Sequence, residues 1–99
     1  MINPDKYYTR HQDIAWRLVE GDALLVDPRS GRIYPLNPVA ARIWEMLDQQ
    51  HLASEIVDVL VQEFDAPPHV IRQDAYDFID SLFEAKLLTE GNQVDPRRE

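Results

Sequence analysis

The sequence contains no cysteine, which removes disulfide staples, thiolate zinc sites, iron–sulfur clusters and thiol nucleophiles together. The fold must stand on packing alone. Glycine is nearly as scarce: Gly21, Gly31 and Gly91 are isolated from one another, so no glycine-rich loop can line up backbone N–H groups around a phosphate. No apolar run approaches the roughly 18 residues that suggest a bilayer span. The opening Met1-Ile2-Asn3-Pro4-Asp5-Lys6 also lacks the apolar stretch of a secretory signal, so a cytoplasmic chain with no membrane partner is expected. Basic charge is the last deficit. Lys and Arg number 10 against 18 Asp and Glu, a net charge of −8, and neither basic residue occurs between Arg42 and Arg72. Because a nucleic-acid backbone requires a cationic face, no nucleic-acid partner is expected.

What is present suits one small folded domain. The 99 residues are 44% hydrophobic and 28% charged, close to globular averages and far from the composition of disordered chains. Residues 1–12 show no sustained period and read as an N-terminal arm. The domain itself is expected over residues 13–90, and residues 91–99, ending Asp95-Pro96-Arg97-Arg98-Glu99, read as a disordered tail. Within the domain, Ile14–Val19 and Ala23–Val26 have strand composition and are separated by the tight turn Glu20-Gly21-Asp22. After Asp27-Pro28-Arg29-Ser30-Gly31, a strong turn signal, Arg32–Leu36 forms a third strand. Loops this short make the three strands antiparallel neighbours. Pro35 cannot donate to a ladder, which predicts that the third strand lies at an edge.

The period changes at Asn37-Pro38, a cap residue followed by the proline favoured at a first helical position. The first helix carries Ala40, Ile43, Trp44 and Leu47 on one stripe and should stop near Asp48-Gln49-Gln50. A second helix is expected from Ser54, taken as its cap, to Phe64, before Ala66-Pro67-Pro68 breaks it. A third runs from about Pro68 to Lys86. Its Ile71, Ala75, Phe78, Ile79, Leu82 and Lys86 span an arc of about 100°, and Tyr76, Phe83 and Leu87 widen the apolar face to about 180° opposite Asp74, Asp77, Asp80 and Glu84. That exceeds one core contact, so either the sheet or a partner covers the flank. The fold class expected is α+β and winged-helix-like: an N-terminal three-stranded antiparallel sheet followed by three helices.

Catalytic candidates are few. His11, His51 and His69 lack metal-ligand spacing, so no metal site and no cofactor are expected. Of the three serines, Ser30 and Ser54 have turn and cap positions and Ser81 faces outward, which leaves no evident nucleophile. The carboxylates of the third helix form a hydrated face rather than an acid–base pair. Trp44 belongs to the core stripe, whereas Trp16 on the first strand and Tyr34 on the third could face either way. A winged-helix regulator would need cations and amides on its second helix, where Glu55, Asp58 and Glu63 stand instead. An exposed sheet edge beside an over-apolar helix favours an extended peptide added as a strand. A regulator that binds DNA or a protein remains the alternative.

The stretches Ala23–Asp27 and Gly31–Asn37, then Ala40–Asp48, continued by Glu55-Ile56-Val57, Leu60, Asp74, Phe78, Ile79, Leu82 and Leu87-Leu88, resemble the PqqD-like proteins, or RiPP recognition elements. The resemblance covers about Asp13 to Leu88, and its most specific part is Leu36-Asn37 followed by a helix with Ile43-Trp44. It implies a non-catalytic peptide chaperone that binds the leader of a ribosomally made precursor peptide and presents it to a modifying enzyme such as a radical enzyme or a peptidase. Products of such pathways include the quinone cofactor PQQ and lasso peptides. The resemblance implies a leader added to the third strand and walled by the third helix, which nominates Arg32, Ile33, Tyr34, Pro35, Leu36, Arg72, Tyr76, Ile79 and Phe83. Two departures stand out: Gln49 follows Asp48 where the family often has glycine, and Lys86-Leu87-Leu88 replaces a frequent Gly-Leu-Leu.

Overall fold

A computed structural model describes residues 2–91. The elements run β1 (Tyr7–Arg10), β2 (Ala15–Val19), β3 (Asp22–Asp27), β4 (Arg32–Leu36), α1 (Pro38–Met46), β5 (Asp48–Leu52), α2 (Ala53–Glu63), α3 (Pro68–Glu84) and β6 (Leu88–Gly91). The expected meander is present as an antiparallel sheet of order β2-β3-β4, with β4 at an edge. Three helices follow in the expected order. A second three-stranded sheet, of order β5-β1-β6, was not anticipated. The arm residues 7–10 form its centre, Leu88–Gly91 pairs on one side, and Asp48–Leu52, which begins where the first helix was expected to stop, pairs on the other. These strands of four or five residues have no alternating pattern because long-range pairing creates them. The rest of the expected tail, residues 92–99, lies outside the described residues.

The turn between β2 and β3 sets the phase of the whole first sheet. Glu20 and Gly21 both take positive φ, 52° and 90°, the signature of a two-residue type I′ turn. Such a turn closes on a hydrogen-bonded pair, here Val19 with Asp22. Bonding direction alternates along an antiparallel strand. Leu24 and Val26 therefore also bond towards β2, while Ala23, Leu25 and Asp27 bond towards Leu36, Tyr34 and Arg32 of β4. The same alternation settles the faces. Ala23, Leu25, Asp27 and Leu36 are buried and Tyr34 is half-buried, so their face packs on the helices. Leu24, Ile33, Pro35 and Val19 look outward.

Core and caps follow the local chemistry. Ile43, Trp44, Leu47, Ile56, Leu60, Ile79 and Leu87 are fully buried in one cluster. Trp16 lies on the inner face of β2, edge-on to Trp44 at 6.3 Å, with the Arg10 guanidinium 4.9 Å over its ring. Asn37 caps α1 through its side-chain oxygen, which accepts from the Ala40 N–H at 2.9 Å. Helix α2 begins one residue earlier than its expected cap. Leu52 precedes it, and the Glu55 carboxylate accepts the Leu52 N–H at 2.6 Å. Helix α3 ends in a Schellman arrangement: the Leu87 N–H donates to the Leu82 carbonyl at 3.0 Å, and Lys86 holds φ of 65°. Lys86 thus occupies a left-handed position suited to glycine, which explains why the resemblance reads glycine there.

An ion pair between buried Asp27 and exposed Arg29 secures this helix end. Asp27, 4% exposed, accepts from Arg29 through both carboxylate oxygens at 2.9 and 3.0 Å. The same guanidinium donates to the Lys86 carbonyl at 2.7 Å. The Arg29 side chain holds the Asp27 carboxyl below its ordinary value, against the opposing effect of burial.

Two expected outcomes follow. Lys86→Gly relieves the left-handed strain and raises stability by about 1 kcal/mol, measured by urea unfolding. Because the Asp27 pKa is lowered on folding, its contribution is present above the ordinary carboxylate value of 3.8 and fades as pH falls through the folded value. Asp27→Asn should therefore lower the thermal midpoint clearly at pH 7, with the gap from the parent narrowing as the pH is taken below the ordinary carboxylate value.

Candidate functional site

The site is assembled by the way β4 and α3 are held. At one end, Arg29 in the turn before β4 bonds the Lys86 carbonyl just past α3. At the other, Asn37, the residue after β4, shares a cavity wall with Ile71 and Asp74 near the start of α3. The strand and the helix therefore run side by side in opposite directions. Their lengths match, since five strand residues span about 17 Å and the helix from Asp74 to Ala85 spans roughly the same.

The phase of the sheet decides what β4 presents to this side. Arg32, Tyr34 and Leu36 direct their main-chain groups to β3, leaving Ile33 and Pro35 to face the open edge. Pro35 has no N–H, so its nitrogen costs the β3–β4 ladder nothing. The edge accordingly offers one donor, the Ile33 N–H, and two acceptors, the carbonyls of Ile33 and Pro35. Outward from the sheet, Ile33 is 60% exposed and Val19 50%, beside Leu24 and Pro35. Arg32 is exposed at the turn end of the strand.

Beyond the last residue of β4 lies a cavity of about 400 Å³ between the start of α1, the loop after α2 and the first half of α3. Val39, Ile43, Phe64, Val70, Ile71 and Phe78 give it apolar walls, and Asp65 and Asp74 supply its charges. Its size falls within the usual range for pockets that take small apolar groups.

The nominated residues divide. Ile33, Pro35 and Arg32 lie at the edge, with Tyr34 beneath them, half-buried against the core. Leu36 and Ile79 are core residues, 7% and 0% exposed. Arg72, Tyr76 and Phe83 have other neighbours. Arg72 pairs with Asp58 of α2 at 3.4 Å, and Phe83 meets Tyr8 of β1 edge-on at 5.6 Å. Burial raises the pKa of Tyr76, and Asp58 and Asp5 act in the same direction, which places the phenol towards α2 and the N-terminal segment. The wide apolar flank of α3 is thus taken up largely by the second sheet and α2. About 160° round the helix from Tyr76 and Phe83, Asp74 and Phe78 face the cavity at the end of β4. Sequence reasoning placed Phe78 in the core stripe and Asp74 on the solvated face, and Phe78 does pack against the core and Asp74 is exposed, but it did not bring the two to one cavity. It also missed Asp65 and Phe64, whose only signal was their position before the Pro67-Pro68 break.

No group of three or more His, Asp or Glu among the described residues is arranged to hold a metal ion. Nor is any helix among them long and apolar enough to cross a membrane.

Comparisons with known proteins bear on this geometry. Two solved structures share the fold. One is TbiB1 in complex with the TbiA(beta) leader peptide, at a TM-score of 0.71 and 24% identity, covering 81% of this chain and 93% of that one. The other is lasso peptide synthetase B1 complexed with the leader peptide, at 0.71 and 23%, covering 83% and 96%. No curated protein matches the sequence. The family described as Coenzyme PQQ synthesis protein D matches residues 22–88, which runs from the first residue of β3 to the first of β6. This chain, with its open β4 edge and the cavity beyond the end of that strand, belongs to the PqqD family.

Proposed function

We propose that this domain binds the leader segment of a ribosomally synthesised precursor peptide as an added strand on β4 and presents the attached peptide to a modifying enzyme, without catalysing a reaction itself. The observation that carries the reading is the open edge of β4, with its single donor and two acceptors, alongside α3 and ending at an apolar cavity. An antiparallel segment satisfies those groups with main-chain hydrogen bonds, which supply affinity largely independent of sequence, while alternate side chains reach the helix and supply specificity. Both structural neighbours were solved with leader peptides, which supports the same class of ligand here.

Presentation needs no chemistry from this chain. Holding the leader converts delivery of the attached segment into a local event, and the effective concentration at a docked enzyme reaches the millimolar range for short linkers. The client is proposed to be a peptide-modifying enzyme, of the radical or peptidase kind, working in the cytoplasm. The site comprises Arg32, Ile33, Tyr34 and Pro35 on the strand, with Phe78 as the aromatic wall of α3. Arg72, Tyr76 and Phe83 bear on the site by holding α3 against α2 and β1.

The reading is tested by passing lysate of the source cells over the immobilised domain, sequencing the retained short peptides and titrating a synthetic copy into the protein. Recovery of DNA in place of a peptide would transfer the case to a winged-helix regulator. With the peptide bound, the Ile33 amide should become protected from hydrogen exchange, and Ile33→Pro, which removes the one edge donor, should weaken binding about fivefold or more. An unchanged Ile33 amide would remove β4 from the site. Phe78→Ala should weaken binding by about 1–3 kcal/mol, the order of an aromatic anchor. Tyr76→Ala, by contrast, should act chiefly on the thermal midpoint.

A further inference from the structure

The cavity at the end of β4 has apolar walls and an acidic mouth. Asp65 and Asp74 are its charged lining residues; both are exposed, and neither is paired with another described residue. The nearby Lys and Arg residues are already committed. Arg42 holds Glu63 through two bonds of 2.9 and 3.0 Å, and Arg72 turns to Asp58. The N-terminus of α1 opens on the same cavity through Asn37, Val39 and Ala40, and its dipole amounts to about half a positive charge. Asn37 already occupies one of its free N–H groups. Two full carboxylate charges outweigh the remainder, so the mouth is negative. At its rim Val70 is 40% exposed, an apolar surface along which the stem of a long cationic side chain can lie.

Resting on the strand-addition reading, we infer that the bound segment is selected by a Lys or Arg that meets Asp65 and Asp74, next to a bulky apolar side chain that fills the cavity. The occupant is thus a cationic-apolar peptide segment. Opposite charge at the mouth also speeds encounter and disfavours acidic segments, which the net charge of −8 already repels. An acidic segment carrying the same apolar anchor would bring like charges together at the mouth, and the anchor alone cannot offset that.

The probe is a library of random peptides about 12 residues long, long enough to cover a strand of five residues and the cavity, displayed on phage and selected on the full-length domain. The expected winners carry Lys or Arg beside an aromatic or branched aliphatic residue. A synthetic winner should lose affinity about fivefold on the double change Asp65→Asn and Asp74→Asn, and should lose it by a similar factor when salt is raised on the unaltered domain. Asp74→Lys should turn the selection towards Asp and Glu. Circular dichroism confirms folding of each variant, and the salt titration gives the answer without any substitution. Cation-free winners that bind the double variant equally well and ignore salt would overturn the inference while leaving strand addition intact. A selection yielding no peptide weakened by Ile33→Pro would remove the strand-addition reading, and this inference with it.

Discussion

Two residues at a turn determine what the rest of the molecule can do. Glu20 and Gly21 take positive φ together, and the resulting closure at Val19 and Asp22 fixes which residues of β3 bond to which neighbour. A one-residue change of phase would turn every side chain of the sheet over. It would also bring Arg32, Tyr34 and Leu36 to the open edge and leave Pro35 facing β3 without a donor. The burial of Ala23, Leu25 and Leu36, the exposure of Ile33 and the tolerance of Pro35 are consequences of one local conformation.

A second tie gives that edge a neighbour. The Asp27 carboxylate orients Arg29, and Arg29 reaches across to the last turn of α3. That hydrogen bond ties strand and helix at one end, and at the other the residue after β4 and the first half of α3 line one cavity. The left-handed conformation of Lys86 belongs to the same tie, because it turns the chain from α3 into β6 and leaves the Lys86 carbonyl pointing at Arg29. Strain at one residue and burial of one charge are therefore both spent on a single joint.

The parts of this arrangement legible in the sequence are those written locally. The meander, the Asn37-Pro38 helix start, the proline break before α3 and the edge position of β4 each rest on residues close in the chain, and each is where the pattern places it. The second sheet was not legible, because Asp48–Leu52, Tyr7–Arg10 and Leu88–Gly91 become strands only through one another. The pattern of α3 left open whether a sheet or a partner covers the flank of Tyr76 and Phe83; Phe83 packs on Tyr8, a residue of the second sheet. Phe78 and Asp74 lie on another side of the helix, where they line the cavity with the start of α1 and the loop after α2. The inner face of the first sheet could not be chosen from Trp16 or Tyr34 alone; the contact of Trp16 with Trp44 decides it.

An open strand edge is ordinarily a hazard, since it templates pairing between identical chains and, from there, aggregation. Here the proline guards against that outcome. Two copies meeting through β4 would bring two donors to four acceptors, so half of the edge carbonyls would stay unpaired and the ladder between them would be weak. A different chain with all its amides intact can donate to every carbonyl on the edge. The residue that weakens the edge for its own kind thereby leaves it open for a foreign strand, and keeps a sticky surface from consuming itself at high concentration.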